Sequence, residues 1–457
     1  MPSTPYHRPE ASLTALLGLA WPIIVSRSTQ VVIGLADAVM VAGLGEAALA
    51  ATTAGALNTF CILILPMGIV FIVSSFASQL FGRGDLAGAR RYGFYGLAVA
   101  AATQAVCLGA IPWIPAVLGR FAYAEDVQRL MTGYLTWRLL SGGAAIGIEA
   151  LANYYGGLGR TRLPMVVNVI AMVINVLGNW VFIFGHLGVP ALGVTGAAMA
   201  STLATWLAFL GFAALFVWEG ERAGPRMPGF RAQELWRMLR FGVPSGLNWF
   251  FEFFAFIFFV NVVVAGLGTT ALAALMAVFQ IGSVAFMPAF ALASAGAILV
   301  GQSIGADRRD DVPRMVWLTF LVAAGWQGVV AVVYLTTPEL LIQPFLERGG
   351  DGALLAIGRR MLMLSAAWLL FDAAVGVLAE ALRAAGDTAF TLWARLAIAW
   401  LIFVPGSYVT VRLLGMGDVA AVLWVVLYLS LLAAVLAIRF WAGTWRRIEL
   451  VGEVPAG

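Results

Sequence analysis

Apolar runs of about 20 residues or more recur along the whole chain, separated by short polar punctuation. This recurrence limits the possible folds more than any motif does. Twelve runs can be marked, from 13–42 and 52–81, through 128–152, 163–185, 236–264 and 353–382, to 389–411 and 419–440. Each is long enough to cross the hydrocarbon of a bilayer as a helix. A strand can cross only within a closed barrel, in segments of about 10 alternating residues, and these runs are longer and do not alternate. Composition agrees: 62% of residues are hydrophobic and 11% charged, against about 45–50% and 25% in a soluble domain. The expectation is an all-α membrane protein of twelve transmembrane helices.

The arginines orient it. The chain has no lysine, and most of its 27 basic residues fall in the tails and in alternate loops, for example Arg83, Arg90, Arg91, Arg160, Arg308 and Arg309. The opposite loops hold far fewer, such as Arg120 and Arg129. This bias predicts both termini in the cytoplasm of a multi-pass plasma-membrane (bacterial inner-membrane) protein. It also explains the basic charge without nucleic acid. Residues 1–12 are polar and lead directly into a full-length span, so the N-terminus is expected to be retained rather than cleaved as a signal. Cys61 and Cys107 lie in apolar runs and are expected to be free thiols; His7 and His186 are too few for a histidine metal cluster.

The chain repeats itself. Gly43–Ala51 reads GLGEAALAA and Gly266–Ala274 reads GLGTTALAA, seven of nine positions identical at an offset of 223. The same offset carries Gln79 onto Gln302 and Gly82 onto Gly305, and Pro22 falls at Pro244 with an offset of 222. Six spans per repeat is an even number, so both halves begin on the same face, related by an axis along the membrane normal. The expected division is a six-helix lobe over 1–218, a cytoplasmic linker over 219–235, a second lobe over 236–440 and a cytoplasmic tail over 441–457. The hinge between the halves, Trp218–Arg240, ends in a QELWRMLR run that is expected to lie as an amphipathic helix at the inner interface.

Several segments together resemble the multidrug and toxic-compound extrusion (MATE) family. They are LAWPIIVSRSTQVVIGLADAVMVAGLGEAALAA in span 1 and beyond, SQLFGRGD after span 2, GQSIGADR after span 8, GLGRTRLPM after span 4 and ALRAAGDT after span 10. The resemblance implies two six-helix lobes about a central cleft. It also implies export of small organic cations or amphipathic drugs by alternating access, in exchange for Na⁺ or H⁺, without a cofactor. A monomer in contact with membrane lipids is expected. No protease, nucleophile-elbow or paired-histidine motif points to an enzyme.

Acidic residues within spans are costly in lipid, at about 2.5–3.5 kcal/mol each on insertion scales, so they normally face a cavity or a partner. Asp37 lies in span 1 on a stripe with Gln30 and Gly34. Glu252 is midway along span 7, one turn after Asn248, and Asp372 is well inside span 10, one turn after Trp368. Carboxylates are hard oxygen ligands suited to Na⁺, and they also carry protons. The set Asp37, Glu252 and Asp372 is similar to that of the NorM-type branch, where the C-lobe pair is associated with the coupling cation and the span 1 Asp with N-lobe coupling or drug binding. Span 5 offers Asn175 and Asn179, which cannot titrate, so it departs from the DinF-type branch; these amides are candidates to orient Asp37.

Other charged residues have structural readings. Glu380 and Arg383 are expected to form an i, i+3 ion pair, Glu149 to be structural, and Arg27 to pair with an acid or snorkel to the interface. The phenylalanine-rich segment around Glu252 is read as packing or lipid-facing surface. The competing function is a lipid-linked precursor flippase of the same superfamily; twelve spans and few mid-membrane cations weigh against it.

Overall fold

A computed structural model describes residues 12–121, 123–223, 229–345 and 352–452. The first eleven residues and the middle of the 219–235 segment lie outside the described residues, as does the end of the 441–457 tail. Among the described residues, eleven helices are long and apolar enough to cross a membrane. The protein is an integral, multi-pass helical membrane protein.

The helices that matter for the sites are α1 (Leu13–Ala42), α2 (Glu46–Gly82), α3 (Leu86–Ala110), α4 (Glu125–Leu139), α5 (Gly142–Gly157), α6 (Arg162–Phe184) and α7 (Gly193–Ala223). They are followed by α8 (Ala232–Phe258), α9 (Thr269–Gly305), α10 (Val312–Thr336), α11 (Gly352–Ala385), α12 (Thr388–Ala397) and α13 (Gly417–Trp441).

The repeat is visible in the backbone. α2 and α9 each run 37 residues, and their ends coincide at the sequence offset. Gly45 (φ 110°, ψ 170°) opens α2 and Gly268 (φ 107°, ψ 165°) opens α9. This region of φ/ψ space is open essentially to glycine alone, which is why both copies read GLG before the helix. The four polar motifs that follow spans 2, 4, 8 and 10 share another device. A left-handed residue (Gly84, Gly159, Asp307 or Gly386) ends the helix. The next amide then reaches back to the last turn: Asp85 to Leu80, Arg160 to Tyr155, Arg308 to Ser303 and Asp387 to Leu382, at 2.8–2.9 Å. These bonds satisfy carbonyls that a helix end leaves without partners.

One expected span is not a single helix. The run 128–152 is split into α4 and α5 at Leu140–Ser141. Two glycines follow the break, and the freed backbone groups find side-chain partners on other helices. Gln104 on α3 bridges it: its amide nitrogen Nε2 donates to the Leu139 carbonyl (3.2 Å), and its Oε1 accepts from the Gly143 amide (2.9 Å). From α7, Thr202 donates to the Trp137 carbonyl (2.8 Å) and Trp206 Nε1 to the Leu140 carbonyl (3.0 Å). A helix broken at membrane depth is tolerated when its backbone is satisfied in this way.

The chain divides into two compact units. One is Val25–Gly246; the other is the described part of Met1–Ile24 and Leu247–Gly457. The boundaries fall inside α1 and α8, two residues beyond Pro22 and Pro244, where a proline interrupts the helical hydrogen-bond ladder. In the second unit, Leu16 and Ala20 from the start of α1 are buried in a core with Leu292, Val300, Val377 and Leu436. In the first, Gly242 and Gly246 bring α8 against Ile69 and the Leu65 carbonyl of α2. The segment Ala232–Arg240, expected to lie at an interface, is the first part of the continuous helix α8, anchored by Glu234 to Arg91 (2.8 Å) and to the Tyr95 hydroxyl (3.0 Å).

Cys61 and Cys107 are free. Arg27 pairs with Glu149 at 2.6 Å, joining α1 to α5. Glu380 and Arg383 form the expected buried ion pair at the end of α11.

Candidate functional site

In each unit a cluster of polar side chains that includes a sequence-predicted carboxylate lies among the apolar helices. In the unit Val25–Gly246 the cluster is a closed ring of hydrogen bonds. Asn179 Nδ2 donates to Asp37 Oδ1 at 2.5 Å and also approaches Asn175 Oδ1 at 3.4 Å. Asn175 Nδ2 donates to Ser201 Oγ at 2.8 Å, and Ser201 Oγ donates to Asp37 Oδ2 at 3.5 Å. All four residues are buried. The geometry follows from local structure. Asn175 and Asn179 are one turn apart and therefore share a face of α6, while α1 and α7 supply Asp37 and Ser201. Arg138, in the last turn of α4 just before the break, bears on Asp37 electrostatically, and its Nε has no hydrogen-bond partner among the described residues.

The structure thus brings together three of the residues singled out in the sequence, Asp37, Asn175 and Asn179. Ser201 and Arg138 completed the cluster without being foreseen. A serine in the Ala-rich segment GAAMASTLA carries no signal of its own. Arg138 was visible as an arginine inside a span, but its partner was not. Gln30 and Gly34 are exposed, and no atom lies within 4 Å of where a Gly34 Cβ would stand. The stripe that shares their face therefore changes from open to buried between Gly34 and Asp37.

In the unit containing Leu247–Gly457, the cluster is ionic. Glu252 on α8 pairs with Arg395 in the last turn of α12. Asp372 on α11 lies within electrostatic reach of both. Gln327 on α10, fully buried, directs its Nε2 at Asp372 Oδ2 across 3.5 Å. Tyr428 on α13 senses all three charges, and its hydroxyl has no hydrogen-bond partner among the described residues. Asn248, one turn before Glu252, shares a small cleft with Phe251, Glu252, Leu392, Arg395 and Ala399. Trp368, one turn before Asp372, is buried and stacks on Phe279 at 6.0 Å, so it packs against the neighbouring helix.

The backbone beside this cluster is irregular. α8 ends in a π-helical turn, Phe259–Val264, and α12 runs into two more, Ile398–Phe403 and Tyr408–Leu413. Such turns are uncommon and recur at functional sites. Trp400, within the first π turn after α12, donates its Nε1 to the Phe251 carbonyl at 3.3 Å, next to Glu252. Arg395 is the residue that sequence reasoning left without a role. Among the described residues no group of three or more His, Cys, Asp or Glu side chains could hold a metal ion by themselves.

The MatE family model matches residues 22–181 and 244–409. The "Probable multidrug resistance protein NorM" of Mesorhizobium japonicum is 29% identical over 391 residues, covering 82% of each chain. The protein of the same name from Pseudomonas putida is 28% identical over 464 residues, covering 97% of each. Among solved structures, a MOP superfamily transporter from Pyrococcus furiosus, described as having a binding pocket of reverse polarity, superposes with a TM-score of 0.86 at 18% identity, over 95% of this chain and 96% of that one. A multidrug resistance MATE family transporter in an outward-facing conformation gives 0.85 at 19% identity, over 94% and 96%.

Proposed function

The chain belongs to the MatE family, and from that premise we propose that it is a secondary active multidrug exporter, moving organic cations or amphipathic drugs out of the cell by alternating access in exchange for Na⁺ or H⁺. It is a transporter, not an enzyme. The observation that carries the reading is that the carboxylates placed inside the spans are held in two built clusters. Asp37 sits in the ring with Asn175, Asn179 and Ser201, and Glu252 and Asp372 sit in the ionic cluster of the other unit. The relatives that the chain resembles carry the name multidrug resistance protein. Those names also weigh against the lipid-linked precursor flippase.

In this reading Asp37 is the switch of its cluster. While ionised it accepts from Asn179 and Ser201 and attracts a cationic substrate. When it takes up a proton it loses that attraction, and the amide of Asn179, whose Oδ1 has no hydrogen-bond partner among the described residues, offers an acceptor to the new O–H if it turns over. Binding of the proton and of the drug then oppose each other, and the coupling is reciprocal. Gln30 and Gly34, exposed on the same helix, are assigned to the substrate-facing surface, with Asn248 and Trp368 as their counterparts in the second lobe. The lobes are taken as 1–218 and 236–440, in the bacterial inner membrane with both termini cytoplasmic, acting as a monomer.

The test is transport in proteoliposomes. An imposed inward Na⁺ or H⁺ gradient should drive a fluorescent organic cation against its own gradient, and Asp37→Asn should strongly reduce that movement. Gradient-independent movement of a labelled lipid, with no drug transport, would refute the reading in favour of the flippase.

A further inference from the structure

The carboxylate pair Glu252 and Asp372 has the chemistry of a site for a coupling cation, yet a cation of the chain's own already stands there. We infer that Arg395 is the resident cation of the C-terminal cluster: its guanidinium holds the charge position that a Na⁺ ion would need, so this lobe takes no Na⁺ while the Arg395–Glu252 pair is intact. The inference rests on the exporter reading only in calling the cluster a coupling site.

Three observations carry it. First, the pair is asymmetric: the Arg395 side chain is 10% exposed and that of Glu252 is 42% exposed. The arginine is therefore the inner member, and an ion arriving from the open side meets a carboxylate whose charge is already matched. Second, arginine does not lose its proton in proteins, so the matching charge cannot be removed by pH. Third, the placement is braced. Trp400 ties the π turn after α12 to the Phe251 carbonyl beside Glu252, which fixes α12 against α8 at the level of the pair.

The charged and titratable groups facing Arg395 come from three helices: Glu252 on α8, Asp372 on α11 and Tyr428 on α13. Two carboxylates against one guanidinium leave at most one charge unmatched. A Na⁺ ion entering beside the guanidinium would meet repulsion at short range in a medium of low dielectric. Further neutral oxygens on the helices of the cluster are nonetheless without partners among the described residues. Gln327 Oε1, Asn248 Oδ1 and the Tyr428 hydroxyl have no hydrogen-bond partner among the described residues, and neutral oxygens with carboxylates are what a hard cation prefers. Removing the charge of Arg395 should therefore uncover a Na⁺ site rather than merely break an ion pair.

The experiment measures radioactive ²²Na⁺ binding to the purified full-length protein in detergent. Wild type and Arg395→Lys, which keeps the charge, should show no saturable binding. Arg395→Met should show saturable Na⁺ binding, because the repulsion from the guanidinium is gone, and that binding should vanish in Arg395→Met/Glu252→Gln. Saturable binding by wild type that is lost in Glu252→Gln would overturn the inference, and this arm needs no Arg395 variant to fold. So would a well-folded Arg395→Met that gains nothing. Efflux by wild type, measured with K⁺ replacing Na⁺, should stay within about two-fold of its rate in Na⁺. Failure of efflux under every gradient would refute the exporter reading and leave the binding result standing on its own.

Discussion

Asn179 donates its side-chain amide to the Asp37 carboxylate across 2.5 Å, from a residue 142 positions further along the chain. Both groups are buried, and a charged acceptor makes this the strong kind of hydrogen bond. Whatever Asp37 binds therefore has to compete with, or rearrange, the ring of Asn175, Asn179 and Ser201.

Asp37→Asn should reduce gradient-driven efflux by at least about 10-fold while expression and thermal stability stay near wild type, because an amide fits the same ring without a charge. Binding of a cationic dye should weaken as pH falls in wild type, since only the ionised carboxylate attracts it. In the variant, binding should be weak and flat with pH. Equilibrium dye titration across pH checks both, and a variant that keeps wild-type affinity and pH dependence would make Asp37 a structural acid.

Asn179→Ala removes the closest donor to Asp37. It should cost about 1–2 kcal/mol of stability, in the range of interhelical hydrogen bonds measured in membranes, and should shift the pH dependence of dye binding without abolishing it. Asn175→Ala, one bond further from the carboxylate, should shift it less. Melting temperature and dye titration on the same samples separate the two effects.

Glu252→Gln and Asp372→Asn should each lower active efflux while leaving the protein expressed. They should differ in stability. Glu252→Gln strips Arg395 of its partner, and an unmatched buried charge costs several kcal/mol; because the glutamate is nearly half exposed, about 1–2 kcal/mol is expected. Asp372→Asn leaves the pair intact and can still meet Gln327, so it should be close to neutral. A thermal-shift series in one detergent decides the order.

Gln104→Leu should destabilise the break between α4 and α5. It leaves the Leu139 carbonyl and the Gly143 amide without their partner, at about 1–3 kcal/mol for each stranded group. Gln104→Glu, which keeps an acceptor for Gly143 but loses the donor to Leu139, should fall between. If Gln104→Leu melts with wild type, the break is satisfied by other means.

Gly45→Ala and Gly268→Ala should each cost about 1–3 kcal/mol from backbone strain alone, because nothing lies within 4 Å of the added Cβ at either position. Similar losses at both sites would confirm in energetic terms that the two repeats open α2 and α9 by the same turn.

The features legible in the sequence are those set within one helix or one turn. Span length and hydropathy depend on the bilayer, so the helices could be read from composition along a window. The 223-residue offset is also read along the chain, whereas the positive φ of Gly45, Gly268 and the ends of the polar motifs, Asp307 among them, is visible only in the backbone. The i, i+4 spacing likewise placed Asn175 and Asn179 on one face. What the tertiary structure decided is who meets whom across helices. The split of 128–152 reads as one apolar run, because its freed backbone is satisfied by Gln104, Thr202 and Trp206 from distant segments. The burial of Leu16 with the C-terminal core, the closing of the Asp37 ring by Ser201 and the pairing of Glu252 with Arg395 were equally hidden. A carboxylate inside a span announces that it needs a partner, since lipid cannot solvate its charge. Which partner it takes depends on how the helices pack, and no window of sequence contains that.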